Sequence, residues 1–418
     1  MHVVVAGQGY VGLPLAVRAA EVGHRVVGYD VDTHRVQHLA DGHSYVRDVD
    51  SSRLRTVLDS GAYSATADAA ALAGFDIAVI TVPTPLRDSV PDLTYVESCA
   101  RTLGEHLRPG ATVVLESTTY PGTTEELLLP ILEETSGLKG GVEFLAGFSP
   151  ERIAPGNKRF SFESTPKLVS GIDAKSLDVI KGFYDGIFQT TVPVSGPKVA
   201  ELAKLIENTF RLVNISMINE LATLAKPLGV NIWEAIDAAA TKPFGFTRFT
   251  PGPGVGGHCL PVDPLFLSWK VQQELGVPFR FVELAADVNR HMPDYVVQRL
   301  VAALERRGMS VSGSRILLLG LTYKINATDL RESPSARVAE LLIGLGAEVR
   351  GADPNIPDGD RAKLTLPLVD ATAEEAAASD AVVLLMDHAR FDLAMVQESA
   401  PYVLDCRNRM SGANVELL

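Results

Sequence analysis

Apolar positions follow two rhythms along this chain. Short unbroken runs of Val, Ile and Leu alternate with stretches where apolar residues return every three or four positions, a pattern of buried strands alternating with helices. The first run, Val3-Val4-Val5-Ala6, leads into Gly7-Gln8-Gly9-Tyr10-Val11-Gly12 and a helix-forming stretch over residues 13–21. Further strands are predicted over residues 25–29, 76–81 and 112–116. From residue 197 to about residue 228 the spacing of Val199, Leu202, Leu205, Ile206, Phe210, Val213, Ile215 and Ile218 predicts one long helix, with a short helix over 232–240 behind it. The strand rhythm then returns at residues 315–320. Residues 346–353 parallel 23–30, and 380–385 parallel 76–81. The pattern predicts an α/β chain: two doubly wound Rossmann-like domains joined by a central long helix and helical region. The boundaries fall at 1–196, 197–311 and 312–418.

Composition agrees with this reading and narrows the partners. With 418 residues, 46% of them apolar and 21% charged, the chain can bury several cores. A net charge of −13 and a pI near 5.2 disfavour nucleic acid and anionic membrane as partners. Strand-like sequence from His2 onward leaves no room for a cleavable signal peptide, and no apolar run reaches membrane-spanning length, so a cytoplasmic location is expected. Cys99, Cys259 and Cys406 are few, odd in number and widely spaced, which fits reduced thiols and offers no zinc spacing; no metal is expected.

The candidate chemistry clusters at loops. Gly7, Gly9 and Gly12, with Tyr10 and Val11 between them, sit between a strand and a helix, and Asp30 follows about 20 residues later at the end of the next strand. That order fits a dinucleotide: glycines admit the pyrophosphate to the helix N-terminus, and the carboxylate meets a ribose hydroxyl. Asp30 favours NAD over NADP, and Arg35 is the residue that weighs against this preference. Val82-Pro83-Thr84-Pro85 and the hydroxyl-rich loop from Ser117 and Thr118 onward close the third and fourth predicted strands, the side where open parallel sheets bind ligands. Glu151 and Arg152 stand side by side in a turn running to Gly156, as a surface ion pair or as ligand contacts. Lys204 and Asn208, four apart, share a face of the long helix.

Pro251-Gly252-Pro253-Gly254-Val255-Gly256-Gly257-His258-Cys259 places four glycines within six residues just before a thiol. Their bare backbone lets a ligand approach closely, and Asp263, four residues past Cys259, lies one helical turn away. On residues alone Cys259 is either a small buried apolar side chain or a nucleophile. In the second α/β repeat no GxGxxG occurs. Lys324, Arg331 and Arg407 stand at strand ends or adjoining loops instead, which suits a nucleotide-type ligand held by cations.

Taken in order, Gly7-Gln8-Gly9-Tyr10-Val11-Gly12-Leu13-Pro14, Val82-Pro83-Thr84-Pro85, Ser149-Pro150-Glu151-Arg152, the helix motif from Glu201 to Asn208, Gly256-Gly257-His258-Cys259, Tyr323-Lys324 and Arg331-Glu332-Ser333-Pro334 run nearly the whole length. Together they resemble the nucleotide-sugar 6-dehydrogenases, the UDP-glucose/GDP-mannose dehydrogenase family. Around Ala238-Ala239-Ala240-Thr241-Lys242-Pro243-Phe244-Gly245-Phe246-Thr247 the chain looks most like bacterial UDP-N-acetylglucosamine 6-dehydrogenases of surface-polysaccharide pathways. The resemblance implies two successive oxidations of a UDP-sugar C6 alcohol to the carboxylate, with NAD as cofactor. It implies Cys259 as nucleophile, and Lys204, Asn208 and Asp263 at the C6 oxygen. Glu151 aids thioester hydrolysis and Thr118 orders a water. Arg152, Gly256, Lys324 and Arg407 contact substrate along with Glu151, Lys204 and Asn208, while Arg331, Val82, Pro83, Thr84 and Ser117 fall on the cofactor side. Several relatives carry lysine where this chain has Val262, so no charge is assigned there. The long helix suits a homodimer contact.

Three rivals are weighed. A two-electron β-hydroxyacid dehydrogenase shares Lys-x-x-x-Asn but leaves Cys259 and the second α/β repeat without a role. An epimerase needs Tyr-x-x-x-Lys, which is absent. A silent UDP-sugar sensor has no need of Cys259, Lys204, Asn208 and Asp263 together. Within the 6-dehydrogenases, UDP-glucose and UDP-N-acetylmannosamine are the alternative substrates.

Overall fold

The computed structural model describes all residues except Arg47, Ser89, 154–159, His258, Ala327, Ala362 and Lys363. Ala154, Pro155 and Gly156 of the turn after Glu151, and His258 before the candidate nucleophile, therefore lie outside the described residues. The chain forms two compact units, one of residues 1–207 with 269–276, the other of residues 208–268 with 277–418.

In the first unit, β1 (His2–Ala6) pairs in parallel with β2 (Arg25–Tyr29) on one side and β4 (Ile77–Ile80) on the other, Val3 lying opposite both Val26 and Ile77. With β3 (Tyr63–Thr66), β5 (Thr112–Leu115) and β6 (Leu145–Phe148), the order is β3-β2-β1-β4-β5-β6, all parallel. Strands buried on both faces must be apolar throughout, and Val3, Val4 and Val5 are fully buried. Chain order reverses between β1 and β4. A ligand crevice is expected there, beyond the strand C-termini, and helix α1 (Gly12–Glu21) begins at that edge. A parallel pair, β7 (Lys167–Val169) and β8 (Thr191–Pro193), is tied to β6 where Ser149 and Ser170 hydroxyls donate to Leu168 and Phe148 carbonyls. Helix α2 (Ala174–Asp185) buries Ile180, Phe183 and Tyr184 against the first sheet.

Helix α3 (Pro197–Ala225) ends three residues short of the sequence expectation, and α4 (Ile232–Ala240) matches it. Asn231 caps α4 by accepting from the amides of Trp233 and Glu234. Helix α5 (Cys259–Leu275) starts on the candidate nucleophile.

In the second unit, β9 (Arg315–Leu319), β10 (Glu348–Ala352), β11 (Ala381–Leu384), β12 (Val403–Asp405) and β13 (Val415–Leu417) form a parallel sheet ordered β10-β9-β11-β12-β13. It repeats the first sheet's reversal between β9 and β11. Helix α6 (Arg280–Arg306) lays Met292, Val296, Leu300 and Leu304 on this sheet's core.

Candidate active site

The turn after β1 is shaped by close packing. Gly7 has φ +93°, and a Cβ there would sit 2.9 Å from the Thr81 carbonyl; at Gly12 it would fall 1.8 Å from the Gly7 oxygen. Only glycine lets α1 start this close to β4. A Cβ at Gly9 would meet nothing and no side chain caps α1, which leaves room for a pyrophosphate beside the turn at the N-terminus of this helix, where the Leu13 amide donates to the Gly9 carbonyl at 3.1 Å. Tyr10 is exposed beside this turn. Buried Asp30 accepts from the Gln8 amide at 2.8 Å and the Asp32 amide at 3.0 Å, which holds its carboxylate over the same turn. Arg35, the residue weighing against NAD, is ion-paired to Asp30 at 2.8 Å. The loops after β4 and β5 are laced together: Ser117 Oγ donates to the Val82 carbonyl at 2.6 Å, and Thr84 Oγ1 donates to the Thr118 carbonyl at 2.7 Å. The residues present thus fit an NAD molecule.

Glu151 is not in a surface ion pair with Arg152. The Arg152 guanidinium turns away to Glu207 at 2.6 Å and to the Pro166 carbonyl at 2.7 Å. The Glu151 side chain points inward, because its Oε1 accepts from the amides of Arg152 and Ile153 while Oε2 lies 3.5 Å from Lys167 Nζ. Lys204 Nζ donates to the Glu151 carbonyl. Close by, buried Glu201 accepts from the Gly122 amide at 2.6 Å and from the amide and hydroxyl of Thr124, pinning the loop after β5 to α3.

In the second unit Cys259 opens α5 and is exposed. Cys99 and Cys406 are the opposite case: burial pushes both thiols up to about 12, so neither is a ready nucleophile. One turn along α5, Asp263 is buried and accepts from Asn208 Nδ2 at 2.6 Å. The glycine loop is closely packed on the side where a Cβ would lie. Its bare backbone admits the protein itself: a Cβ at Gly257 would lie 2.4 Å from the Tyr323 ring, at Gly256 2.6 Å from Tyr323 Cβ, and at Gly252 2.7 Å from Arg407 Nη1. The loop is further tied by the Gly257 amide to the Arg331 carbonyl at 3.0 Å and by the Gly252 amide to Asn219 Oδ1 at 3.0 Å.

Of the three cations in the second repeat, Arg407 is half-buried with Nε donating to the Leu385 carbonyl at 2.6 Å, whereas Arg331 is exposed and paired with Asp329 at 2.6 Å. Lys324 follows Tyr323 in the loop after β9, half-buried. Asp353, at the end of β10, repeats the Asp30 arrangement by accepting from the Leu321 and Thr322 amides at 2.8 and 2.9 Å and pairing with buried His388 at 2.9 Å. Burial works against its charge, but these bonds outweigh it and hold the carboxyl below its usual range.

Sequence reasoning passed over Lys167, Glu116 and Tyr184. The available signal was a lone lysine in Pro166-Lys167-Leu168-Val169 and a glutamate closing an apolar strand.

A dinucleotide turn on one parallel sheet, a second parallel sheet with cations at its loops, and an exposed thiol one turn from a buried carboxylate define an NAD-dependent dehydrogenase of two nucleotide-binding folds. The chain belongs to the UDP-glucose/GDP-mannose dehydrogenase family: its NAD binding domain matches residues 1–188, its central domain 198–291 and its UDP binding domain 317–412. The chain is 37% identical over 395 residues to the UDP-N-acetyl-D-glucosamine 6-dehydrogenase of Pseudomonas aeruginosa, covering 94% of this chain and 91% of that one. It is 35% identical over 392 residues to the UDP-N-acetyl-D-mannosamine dehydrogenase of Pyrococcus horikoshii, covering 94% and 90%. A solved structure of UDP-D-ManNAc dehydrogenase from Pyrococcus horikoshii superposes with TM-score 0.91 at 33% identity, covering 100% of this chain and 98% of that one. The protein is thus an NAD-dependent nucleotide-sugar dehydrogenase. No helix among the described residues is long and apolar enough to cross a membrane.

Proposed function

We propose that the protein oxidises the C6 hydroxymethyl of UDP-N-acetylglucosamine to the carboxylate in a four-electron reaction. The observation that carries the four-electron part is Cys259, exposed at the start of α5 with Asp263 buried one turn away. NAD, when bound, accepts a hydride from C6 in each of two half-reactions. Lys204 and Asn208 bind the C6 oxygen and stabilise charge developing on it, and Asp263 with a water takes the alcohol proton. The Cys259 sulfur then adds to the aldehyde carbon, and loss of the second hydride and the hydroxyl proton leaves a thioester. Glu151 accepts a proton from the water that attacks it, and Thr118 orders that water. Gly256, Arg152, Lys324 and Arg407 contact the substrate, with Arg331, Val82, Pro83, Thr84 and Ser117 on the cofactor side.

The choice of sugar rests on residues 238–247 and on the relative of that name. Phe244 and Phe246 offer apolar cover for the acetamido methyl. Assays of UDP-N-acetylglucosamine, UDP-glucose and UDP-N-acetylmannosamine decide it: at least about tenfold in kcat/KM is expected for the first, equal to about 1.4 kcal/mol, and preference for either other sugar sinks the assignment. Two NADH per uronic acid are expected. Cys259→Ser should bind both ligands and lose turnover by several orders of magnitude, since an ester forms and hydrolyses less readily than a thioester; full activity would remove the thiol from the mechanism.

The three-domain division at 1–196, 197–311 and 312–418 is supported by the spans of the three family domains. A homodimer through α3 is supported by a stripe of exposed apolar residues, Leu202, Ile206, Phe210, Met217, Leu221 and Leu224, at helical spacing. A cytoplasmic setting accords with the reduced, buried Cys99 and Cys406.

A further inference from the structure

Behind Glu151 lies a cluster of charges that the mechanism above does not use. Lys167 Nζ sits 2.9 Å from Glu116 Oε1 and 3.5 Å from Glu151 Oε2, and the lysine is only 2% exposed. The Tyr184 hydroxyl donates to Glu116 Oε1, and the Tyr184 and Phe188 rings flank the ammonium with centroids 5.2 and 5.4 Å away. Burying an ammonium and two carboxylates costs several kcal/mol per ion in desolvation, and well-packed apolar side chains often replace such a group without loss of stability. The cluster is also not in mid-sheet. Glu116 directly follows β5 and Glu151 lies three residues past β6, at the strand ends where ligands bind.

We propose that Lys167 is the positioning residue for Glu151: its ammonium, seated against Glu116, holds the Glu151 carboxylate in the orientation that accepts a proton from water during hydrolysis of the Cys259 thioester. The inference rests on the proposed role of Glu151. In that step the water oxygen bonds to the acyl carbon and the C–S bond breaks. The water proton passes to Glu151 and then to the departing sulfur, with no change of oxidation state. Two features support the assignment. Glu151 Oε1 is tied to the amides of Arg152 and Ile153, so an ion pair at Oε2 fixes the remaining freedom of the carboxylate plane. One ammonium serves two carboxylates, 2.9 Å from Glu116 and 3.5 Å from Glu151, and burial, partly offset by Lys167 and reinforced by Glu151, pushes the Glu116 carboxyl above its usual range.

Among the described residues of its unit, the charged and titratable groups facing Glu151 are Lys167, Glu116, Tyr184, Lys204 and Arg152. Lys167→Met takes away the positive charge 3.5 Å from the Glu151 carboxylate, so the acidic limb of the kcat profile should move to higher pH.

The test uses full-length protein with NAD and UDP-N-acetylglucosamine, or whichever of UDP-glucose and UDP-N-acetylmannosamine the wild type oxidises. It compares Lys167→Met, Glu151→Gln and the double variant Lys167→Met/Glu116→Gln, which removes the unpaired carboxylate that could unfold the single variant. NADH release in the first turnover, steady-state kcat, intact mass and the pH profile are read. Lys167→Met and the double variant should keep a first-turnover burst of two NADH per site and accumulate the acyl adduct on Cys259. Their kcat should fall about 30- to 100-fold, part of the 10²–10⁴ that a general base supplies, with the acidic limb displaced. Wild-type kcat in Lys167→Met, or a double variant that regains both kcat and the acidic limb, would show the lysine to be structural and overturn the proposal. If Glu151→Gln hydrolyses normally without an adduct, the role of Glu151 itself falls. If Glu151→Gln traps the adduct and the lysine variants do not, only the proposal for Lys167 falls.

Discussion

Replacing Asn219 by leucine should release the loop that delivers Cys259 while leaving the first sheet untouched. The Asn219 side chain is fully buried; its Oδ1 accepts from the Gly252 amide at 3.0 Å and its Nδ2 donates to Asn289 Oδ1 at 2.9 Å. Asn289 is held in turn by donating to Ser216 Oγ and to the Ala285 carbonyl at 3.1 Å, so α3 and α6 carry the anchor between them. Leucine keeps the branching of the side chain and removes both bonds. Each group left short of a partner costs about 1–3 kcal/mol when it stays buried. The Gly252 amide can escape part of this by undocking toward water, which places the effect near the low end, about 2–3 kcal/mol. At about 1.4 kcal/mol per factor of ten, amide hydrogen exchange at Gly252 should accelerate about 30- to 150-fold. Since Cys259 is seven residues further on, kcat should fall at least about tenfold, a geometric loss typical of a misplaced reacting group. NAD affinity should hold, because the groups that fit the cofactor turn lie in the other compact unit. Unchanged exchange at Gly252 together with unchanged kcat would refute the anchor, and a parallel loss of NAD affinity would show that the substitution acts by unfolding rather than by releasing the loop.

Gly257→Ala combines a left-handed backbone, φ +83°, with a Cβ 2.4 Å from the Tyr323 ring, so about 2–5 kcal/mol of strain and overlap should displace the loop and lower kcat at least tenfold; wild-type kinetics would contradict the close approach. Glu416 is drawn from 4.5 down to about 2: burial opposes its charge, but bonds from Arg299 and Lys226 outweigh burial. Because the folded value is depressed, its contribution is complete above about pH 4.5 and is lost as pH falls toward 2, amounting to about 3 kcal/mol at most and about 2 once solvent screening is included. Urea midpoints of wild type and Glu416→Gln should therefore differ at pH 7 and draw together as pH falls from about 4.5 toward 2, and a gap that stays constant would reject the linkage. Cys99→Ser and Cys406→Ser should leave turnover within about twofold of wild type, as expected for thiols that burial pushes up to about 12; a loss comparable with that of Cys259→Ser would reassign the nucleophile.

Much of the architecture is readable in the chain because its determinants are local. Val3-Val4-Val5 can only be a buried strand, Gly7 to Gly12 can only be a tight turn into a helix, and Asp30 reaches that turn because β2 pairs beside β1. The long helix and the start of α5 at Cys259 likewise follow from periodicity and from glycine and proline punctuation. Charge pairing is another matter. Glu151 and Arg152 are neighbours in sequence and read as partners, yet the fold gives Glu151 to Lys167, 16 residues on, and Arg152 to Glu207, because β6 and β7 bring one inward and leave the other at α3. Glycines at 252, 256 and 257 are visible at once, but that Tyr323 and Arg407 are what press on them depends on contacts across more than 60 residues of chain. Hydrophobic rhythm and turn chemistry act within one element, and the sequence alone determined those. Which buried charge meets which, and which backbone a loop must hug, depends on strand order and helix docking, and only the tertiary structure decided that.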